Sequence, residues 1–452
     1  MEHNIKNTRK HYDLYKRDKL VRSTVVSIFH RGATAGIMLF IATVIAMVFA
    51  NFPQLGGLND FWDKIFSIRF GDFELSMDLR TWINDGLMAV FFFAVGLEIK
   101  REMLVGELSS VKQASLPIAA AIGGMLAPAI IYFLFNMNSA ETVSGWGIPM
   151  ATDIAFAIGV LSLLGKRVPL AAKIFLTALA IADDLGAIVV IAIFYPSHAL
   201  HLDMLVFAGI IMAVVLILNS LRIRHILIYM FAGVLLWYVI LQSGVHATIS
   251  GVLLALIIPA HTRIDGKKFY ARANYFMQKF RAADLENKEL LANENCRDAI
   301  TAMKSEIEKV SSPMQRFELG LHGFSLFVIM PIFALANAGV VLESGAIANM
   351  FSGVSLGVIF GLIFGKPIGI FIFSFIVIKL GLAKFSKDMS WGLLLGVGII
   401  AGIGFTMSMF VSNLAFVNPA HIATAKIAIF IASTTTGILG AVTILTLTKN
   451  KK

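Results

Sequence analysis

Stretches of roughly 20 apolar residues recur along almost the whole chain, and the charged residues crowd into the gaps between them. That length is what a helix needs to cross the hydrocarbon core of a bilayer, so this spacing constrains the fold more than any single motif. About twelve such segments can be read, near 32–50, 82–99, 114–135, 146–164, 170–194, 204–219, 223–241, 246–259, 320–340, 354–380, 391–416 and 422–447. The runs are continuous rather than alternating, which argues against strands. The expected fold class is therefore an all-α polytopic membrane protein with about 12 transmembrane helices. Composition agrees: 58% of residues are apolar and 15% charged, against about 45–50% and 25% in soluble domains. This argues against a soluble single-domain enzyme and against a disordered chain, which would not carry 36 Phe. The lone Cys296 rules out an internal disulfide framework and a multi-cysteine zinc site.

The placement of Lys and Arg sets the orientation. Bases fill the N-terminal segment (Lys6, Arg9, Lys10, Lys16, Arg17, Lys19, Arg22) and the even-numbered gaps. The second gap holds Lys100, Arg101 and Lys112, the fourth Lys166 and Arg167, the sixth Arg222 and Arg224, and the tenth Lys379, Lys384 and Lys387. Odd-numbered gaps are poor in bases; the first has Arg69 and Arg80 but more acids. Both termini are thus expected in the cytoplasm, with no cleavable signal peptide ahead of the first span. The net charge of +10 reads as the cytoplasmic face of a bundle. Nucleic-acid binding would need the bases gathered on one face.

The domain plan follows: a basic cytoplasmic segment 1–31, spans 1–8 over 32–260, a charged cytoplasmic insertion over 261–318, spans 9–12 over 319–447, and a cytoplasmic tail 448–452. Within the insertion, Ile300, Met303, Ile307 and Val310 recur at helical spacing, predicting one or two helices. A solvated insertion is favoured there over a regulatory module. In the first gap, residues 67–75 alternate about Gly71-Asp72 and predict a short external hairpin.

Charges at membrane depth are costly and point to function. Asp153 follows Thr152 in the fourth span, Asp183 and Asp184 are adjacent midway along the fifth, and Lys366 sits midway along the tenth. Neighbouring helical residues point about 100° apart, so the two aspartates cannot face one partner alike. One can meet a cation in a cavity while the other meets a counter-ion, and the pair should take up and release protons as a coupled unit. Oxygen ligands suit protons and small hard cations alike. A buried ion pair that only ties helices together is the competing reading. Pro149 with Thr152-Asp153 interrupts the fourth span, and Gly396, Gly398, Gly402 and Gly404 interrupt the eleventh. Interrupted spans in matching places point to inverted repeats, here spans 3–5 and 10–12. Broken helices expose partial charges, which Asp153 could offset at N-termini and Lys366 at C-termini. Gly353, Gly357, Gly361, Gly365 and Gly369 form a stripe suited to close helix packing. Asp85 opens the second span, and Glu98, Arg101 and Glu102 close it. The latter three read either as a surface salt-bridge cluster or as a mouth that steers cations or senses pH. His246 and His322 titrate in the range for sensing, or are structural.

These segments resemble the NhaA family of bacterial sodium/proton antiporters over roughly 30–260 and 312–447, a family that itself exemplifies inverted repeats. The motifs carrying the resemblance include Trp82-Ile83-Asn84-Asp85, Gly96-Leu97-Glu98, Lys100-Arg101-Glu102, Ala151-Thr152-Asp153-Ile154-Ala155-Phe156-Ala157, Asp183-Asp184-Leu185-Gly186, Val245-His246-Ala247-Thr248, Ala336-Asn337-Ala338-Gly339, Gly365-Lys366-Pro367 and Gly402-Ile403-Gly404-Phe405-Thr406. The resemblance implies a multi-pass protein of the bacterial inner membrane, without cofactor, that exports Na⁺ or Li⁺ in exchange for external protons. In that picture Asp184 is the principal Na⁺-binding carboxylate and Asp183 its partner. Lys366 pairs with Asp183 when the ion is absent, and Thr152 and Asp153 shape the site. Glu98, Arg101, Glu102, Arg316, Glu318 and His322 resemble a cytoplasmic activation region, although Gln315 and Leu319 depart from the family's basic residue and histidine. A homodimer through the 66–76 hairpin is a further implication.

The expected mechanism is alternating access at the aspartate pair, electrogenic because one cation would exchange for two protons. A sodium-coupled solute symporter on a related fold is the nearest rival. An intramembrane aspartyl protease would need its two acids on separate helices without a lysine counter-ion. A channel would need acidic rings or carbonyl filters.

Overall fold

Helices make up nearly all the regular structure of the computed structural model, which describes residues 32–52, 57–196, 198–262, 265–284, 293–341, 349–385 and 388–449. The expected N-terminal segment 1–31 and the last three residues of the tail lie outside the described residues. In chain order the helices are α1 (Gly32–Asn51), α2 (Leu79–Val105), α3 (Val111–Asn136), α4 (Val143–Leu163), α5 (Leu170–Phe194), α6 (Leu202–Ser220) and α7 (Ile226–Ser243). Next come α8 (Ile249–Ile257), α9 (Gly266–Asp284) and α10 (Glu294–Val310). They are followed by α11 (Pro313–Asn337), α12 (Gly353–Lys379), α13 (Trp391–Ala401), α14 (Phe405–Ala415) and α15 (Pro419–Lys449). Ten of the described helices are long and apolar enough to cross a membrane, and α13–α14, bent by 49°, makes an eleventh if counted as one span.

The segment expected as an eighth span is the exception, because α8 has only nine residues. At 1.5 Å per residue the helix by itself is about 14 Å long, so a crossing there draws on the residues to either side of it. The chain turns sharply ahead of it. Gly244 takes φ +85, and a Cβ there would lie 2.5 Å from the Ala199 carbonyl oxygen, so a residue without a side chain is required. Lys100 closes the other end, its Nζ donating to the carbonyls of Leu256 at 2.7 Å and Ile258 at 2.5 Å, which places a cation on exposed C-terminal carbonyls.

The hairpin forms, somewhat longer than the sequence suggests. Strands β1 (Ile65–Phe70) and β2 (Phe73–Asp78) pair antiparallel, with Phe70 opposite Phe73 and Ile65 opposite Asp78. Arg69 and Glu74 meet across it at 3.2 Å, a mostly exposed pair worth little to stability. The insertion holds two helices, α9 and α10.

The chain divides into two units. The first comprises 1–88, 101–197 and 325–452. In it the glycine stripe of α12 lets that helix press against α3: a Cβ on Gly369 would run into the carbonyl of Gly123, and one on Gly123 into that of Gly369. Contact this close is the use of small residues between membrane helices. The second unit comprises 89–100 and 198–324. Its core gathers Phe93, Leu97, Tyr229, Leu236 and Phe317, with Phe93 and Phe317 edge to face at 5.3 Å.

Candidate ion-binding site

The first unit is cut by two helix breaks, and the break in α4 supplies Thr152 and Asp153 to the site. Its first half, Val143–Met150, is a 3₁₀-helix; residues 151–153 are extended; the second half runs Ile154–Leu163. Two tyrosines anchor the first half. Tyr132 donates to Thr142 O at 2.8 Å, and Tyr195 donates to Ser144 O at 2.6 Å while accepting from Gly147 N at 3.1 Å. The other break, Gly402-Ile403-Gly404, separates α13 from α14. The two breaks cross, with Asp153 N donating to Ile403 O at 2.7 Å.

At the crossing Asp153 is fully buried and caps two helices. Its Oδ1 accepts from Phe156 N at 2.9 Å, at the start of the second half of α4. Its Oδ2 accepts from Thr406 N at 3.2 Å and from the Thr406 hydroxyl, at the start of α14. One carboxylate thereby answers two positive helix ends.

Lys366 does the converse. It is 1% exposed and directly follows a π-helical turn, Gly361–Gly365. Its Nζ donates to Asp183 Oδ2 at 2.7 Å and to the carbonyl of Met150, where the first half of α4 ends. The lysine thus joins a carboxylate to a negative helix end. Removing one member of a buried pair leaves an uncompensated charge, at about 3–5 kcal/mol.

Asp183 and Asp184 are each 2% exposed. The Thr152 hydroxyl lies 2.7 Å from Asp183 Oδ2 and 3.0 Å from Ala401 O. It has one proton for two acceptors, so it can serve only one at a time. Asp183 Oδ1 is buried and has no hydrogen-bond partner among the described residues. A buried carboxylate oxygen with no protein donor is an acceptor open to a proton or a cation.

Three of the expected residues are therefore joined by hydrogen bonds, Thr152 and Lys366 to Asp183, while Asp153, next to Thr152 in the chain, bonds to Phe156 and Thr406 at the crossing. Asp184 lies beside them in the chain. Asp85 sits elsewhere in the first unit, partly buried in a π-helical turn, Trp82–Leu87. Arg101 pairs with Glu102 at 2.9 Å. Glu98, His246, Arg316, Glu318 and His322 belong to the second unit. There His246 is buried with Nδ1 3.0 Å from the Thr248 hydroxyl. Arg316 borders a cavity of about 450 Å³ with Arg224 and Lys309.

Three features of the structure have no role in the sequence reading. Asn337, fully buried, takes 2.8 Å hydrogen bonds from Asn413 and to Asn84, tying α11, α14 and the start of α2 together. Lys426 is a further buried charge, 7% exposed in the apolar helix α15. The π-helical turns before Lys366, around Asp85 and after His322 are of a kind that gathers at functional sites. Only Lys426 had a readable signal, since it stands inside an apolar run.

A multi-pass membrane protein with buried, matched charges at a crossing of broken helices is the class these features define. Comparison with known proteins then places it. The family described as Na⁺/H⁺ antiporter 1 matches residues 26–444. The chain is 47% identical over 408 residues to the Na⁺/H⁺ antiporter NhaA of Oleidesulfovibrio alaskensis, covering 90% of each. It is 44% identical to Na⁺/H⁺ antiporter NhaA 2 of Helicobacter hepaticus, covering 93% of this chain and 94% of that one. It is 45% identical to the Na⁺/H⁺ antiporter NhaA of Helicobacter pylori strain 26695, covering 97% and 98%. The chain belongs to the NhaA family.

Proposed function

We propose that the protein exchanges cytoplasmic Na⁺, or Li⁺, for external protons at Asp183 and Asp184. The observation that carries this reading is the state of Asp183: one oxygen shared between Lys366 and Thr152, the other buried with no hydrogen-bond partner among the described residues, and a second buried carboxylate next to it in the chain. Two acids and one lysine leave a negative charge to be balanced by a proton or a small cation. A cation held by both carboxylates competes with Lys366 for Asp183. Asp184 then gives up its proton, and a second proton leaves the Lys366–Asp183 pair. One positive charge against two makes the exchange electrogenic.

Alternating access follows from the crossing. Inverted repeats over α3–α5 and α12–α15 would let the two halves rock about a fixed site. Asp85 serves the external side. Glu98, Arg101, Glu102, Arg316, Glu318, His322 and His246 tune the response to cytoplasmic pH. The protein sits in the bacterial inner membrane with both termini in the cytoplasm and dimerises through β1–β2. The names of its relatives support the Na⁺/H⁺ part of this reading.

In everted vesicles, adding Na⁺ or Li⁺ should collapse a respiration-driven proton gradient, and Asp184→Asn should abolish the response. Normal exchange by Asp184→Asn would remove the site assignment, and exchange indifferent to membrane potential would remove the electrogenic claim alone.

A further inference from the structure

The first unit buries a second lysine that the exchange chemistry does not use. Lys426 is 7% exposed in α15. Lys366 meets a carboxylate and a helix end, but Lys426 has no hydrogen bond or ion pair among the described residues. The charged group whose field reaches it is Arg80, another cation. Arg80 is itself occupied, donating to Ala336 O at 2.7 Å and to Asp63 Oδ1 at 3.0 Å. A buried ammonium left unpaired costs stability, so packing gives no reason for a lysine at this position.

Its place in the helix gives one. At 100° per residue, Lys426, Phe430, Ser433 and Gly437 share one face of α15. The last three meet the break between α13 and α14. Phe430 packs against Phe405 with ring centroids 5.3 Å apart, Ser433 Oγ accepts from Phe405 N at 3.1 Å, and Ile403 lies beside Gly437. Lys426 is nearer the start of α15 than Ser433, by about 10 Å along the axis at 1.5 Å per residue. That start belongs to the end of the unit that carries β1–β2. His421 Nε2 lies 3.5 Å from Glu141 in the link between α3 and α4, and Arg80 closely follows the last residue of β2, Asp78. A lysine that only snorkels to the surface keeps its head in water. Lys426 stays inside, between the hairpin end and the crossing.

A fixed positive charge there raises the energy of a small cation on the outer approach far more than on the inner one. We propose that Lys426 sets the Na⁺ affinity of the outward-facing site, favouring release of Na⁺ to the outside and hindering its return. The inference deepens the exchange reading and rests on it, and on the hairpin end of the bundle facing outward.

The test measures the KM for Na⁺ at each face, in right-side-out and in everted vesicles, for the wild-type chain and for Lys426→Met, Lys426→Gln and Lys426→Arg. Lys426→Met and Lys426→Gln should each lower the outer KM about fivefold, as expected of one unit charge roughly 15 Å away at an effective dielectric of about 20. The inner KM should hold, and Lys426→Arg should leave both faces as they are. Lys426→Met should also melt at a higher temperature than the wild-type chain, because it removes an unpaired buried charge. An outer KM that does not fall, or an inner KM that falls as much, overturns the proposal. So does a Lys426→Met chain that is less stable or does not fold, which would make the lysine a structural group. Loss of exchange at both faces in a folded Lys426→Met would place the lysine in the site itself and overturn it as well. Wild-type exchange in the same vesicles decides the transport reading separately.

Discussion

The two helix breaks meet at one point but contribute different things. The break in α4 brings side chains: Thr152 to Asp183, and Asp153 to the N-termini of two helices. The break between α13 and α14 brings backbone and space. Ala401 O and Ile403 O face the first break, and Gly402 and Gly404 keep room for the approach. Only one of the two thus holds a fixed charge, and that charge serves both. A crossing built this way puts its electrostatics in one strand of chain and its close backbone packing in the other.

Removing the shared charge should have the largest effect. Asp153→Ala strips the acceptor from the buried N–H groups of Phe156 and Thr406, at about 1–3 kcal/mol each. A large fall in thermal stability in detergent is expected, along with loss of exchange. Asp153→Asn should recover much of the stability, since an amide oxygen still caps a helix. Equal loss in both variants would mean that charge, and not capping, holds the crossing.

Crowding the second break should come next. A Cβ on Gly402 would lie 2.5 Å from Leu362 O, a backbone atom that cannot step aside, so Gly402→Ala should cost about 1–3 kcal/mol in overpacking. On Gly404 the nearest obstacle is the Ser408 hydroxyl, which can rotate, and Gly404→Ala should cost less. The reverse order in a melting series would show that the break holds its space at Gly404.

The threonines separate the two roles more finely. Thr152→Val removes a hydroxyl from the side of Asp183 and should raise the KM for Na⁺ about tenfold, as expected for a hydrogen bond to a charged group, with the melting temperature nearly unchanged. Thr406→Val touches only the cap on Asp153 and should lower the melting temperature more than it raises KM. Matching effects from the pair would erase the distinction between the two breaks.

The smallest effect lies away from the crossing. Lys309 and Arg272 hold the Glu306 carboxyl below its usual range. A carboxylate stabilised when folded contributes fully above its unfolded value of about 4.3 and loses that contribution as the pH falls through the lower folded value. Hydrogen exchange in α9–α10 should therefore quicken only in that acid window, and Glu306→Gln should remove the pH dependence.

Local features of this design were legible in the sequence. The spans announce themselves by length, the β1–β2 turn by Gly71-Asp72, and the breaks by Pro149, Asp153 and the glycines of 396–404. Asp183, Asp184 and Lys366 stand out because charge is rare in apolar runs. What could not be read is which residues meet. Thr152 reaches Ala401 across 249 positions, and Asn337 finds Asn84 across 253; no local pattern encodes such pairings. The short α8 was hidden for a related reason. Its residues are apolar enough for a span, and only Gly244 and the lysine cap on its far end reveal that it stops early.

The central claim is that the aspartate pair and its lysine carry charge across the membrane. Purified protein in proteoliposomes on a solid-supported membrane measures this directly, as the current that follows a Na⁺ jump. The account predicts a transient current from the wild-type chain, slowed by acid on the Na⁺-binding side as protons compete, and none from Asp184→Asn. An undiminished current from Asp184→Asn, or a wild-type chain that exchanges Na⁺ for protons without any current, would contradict it.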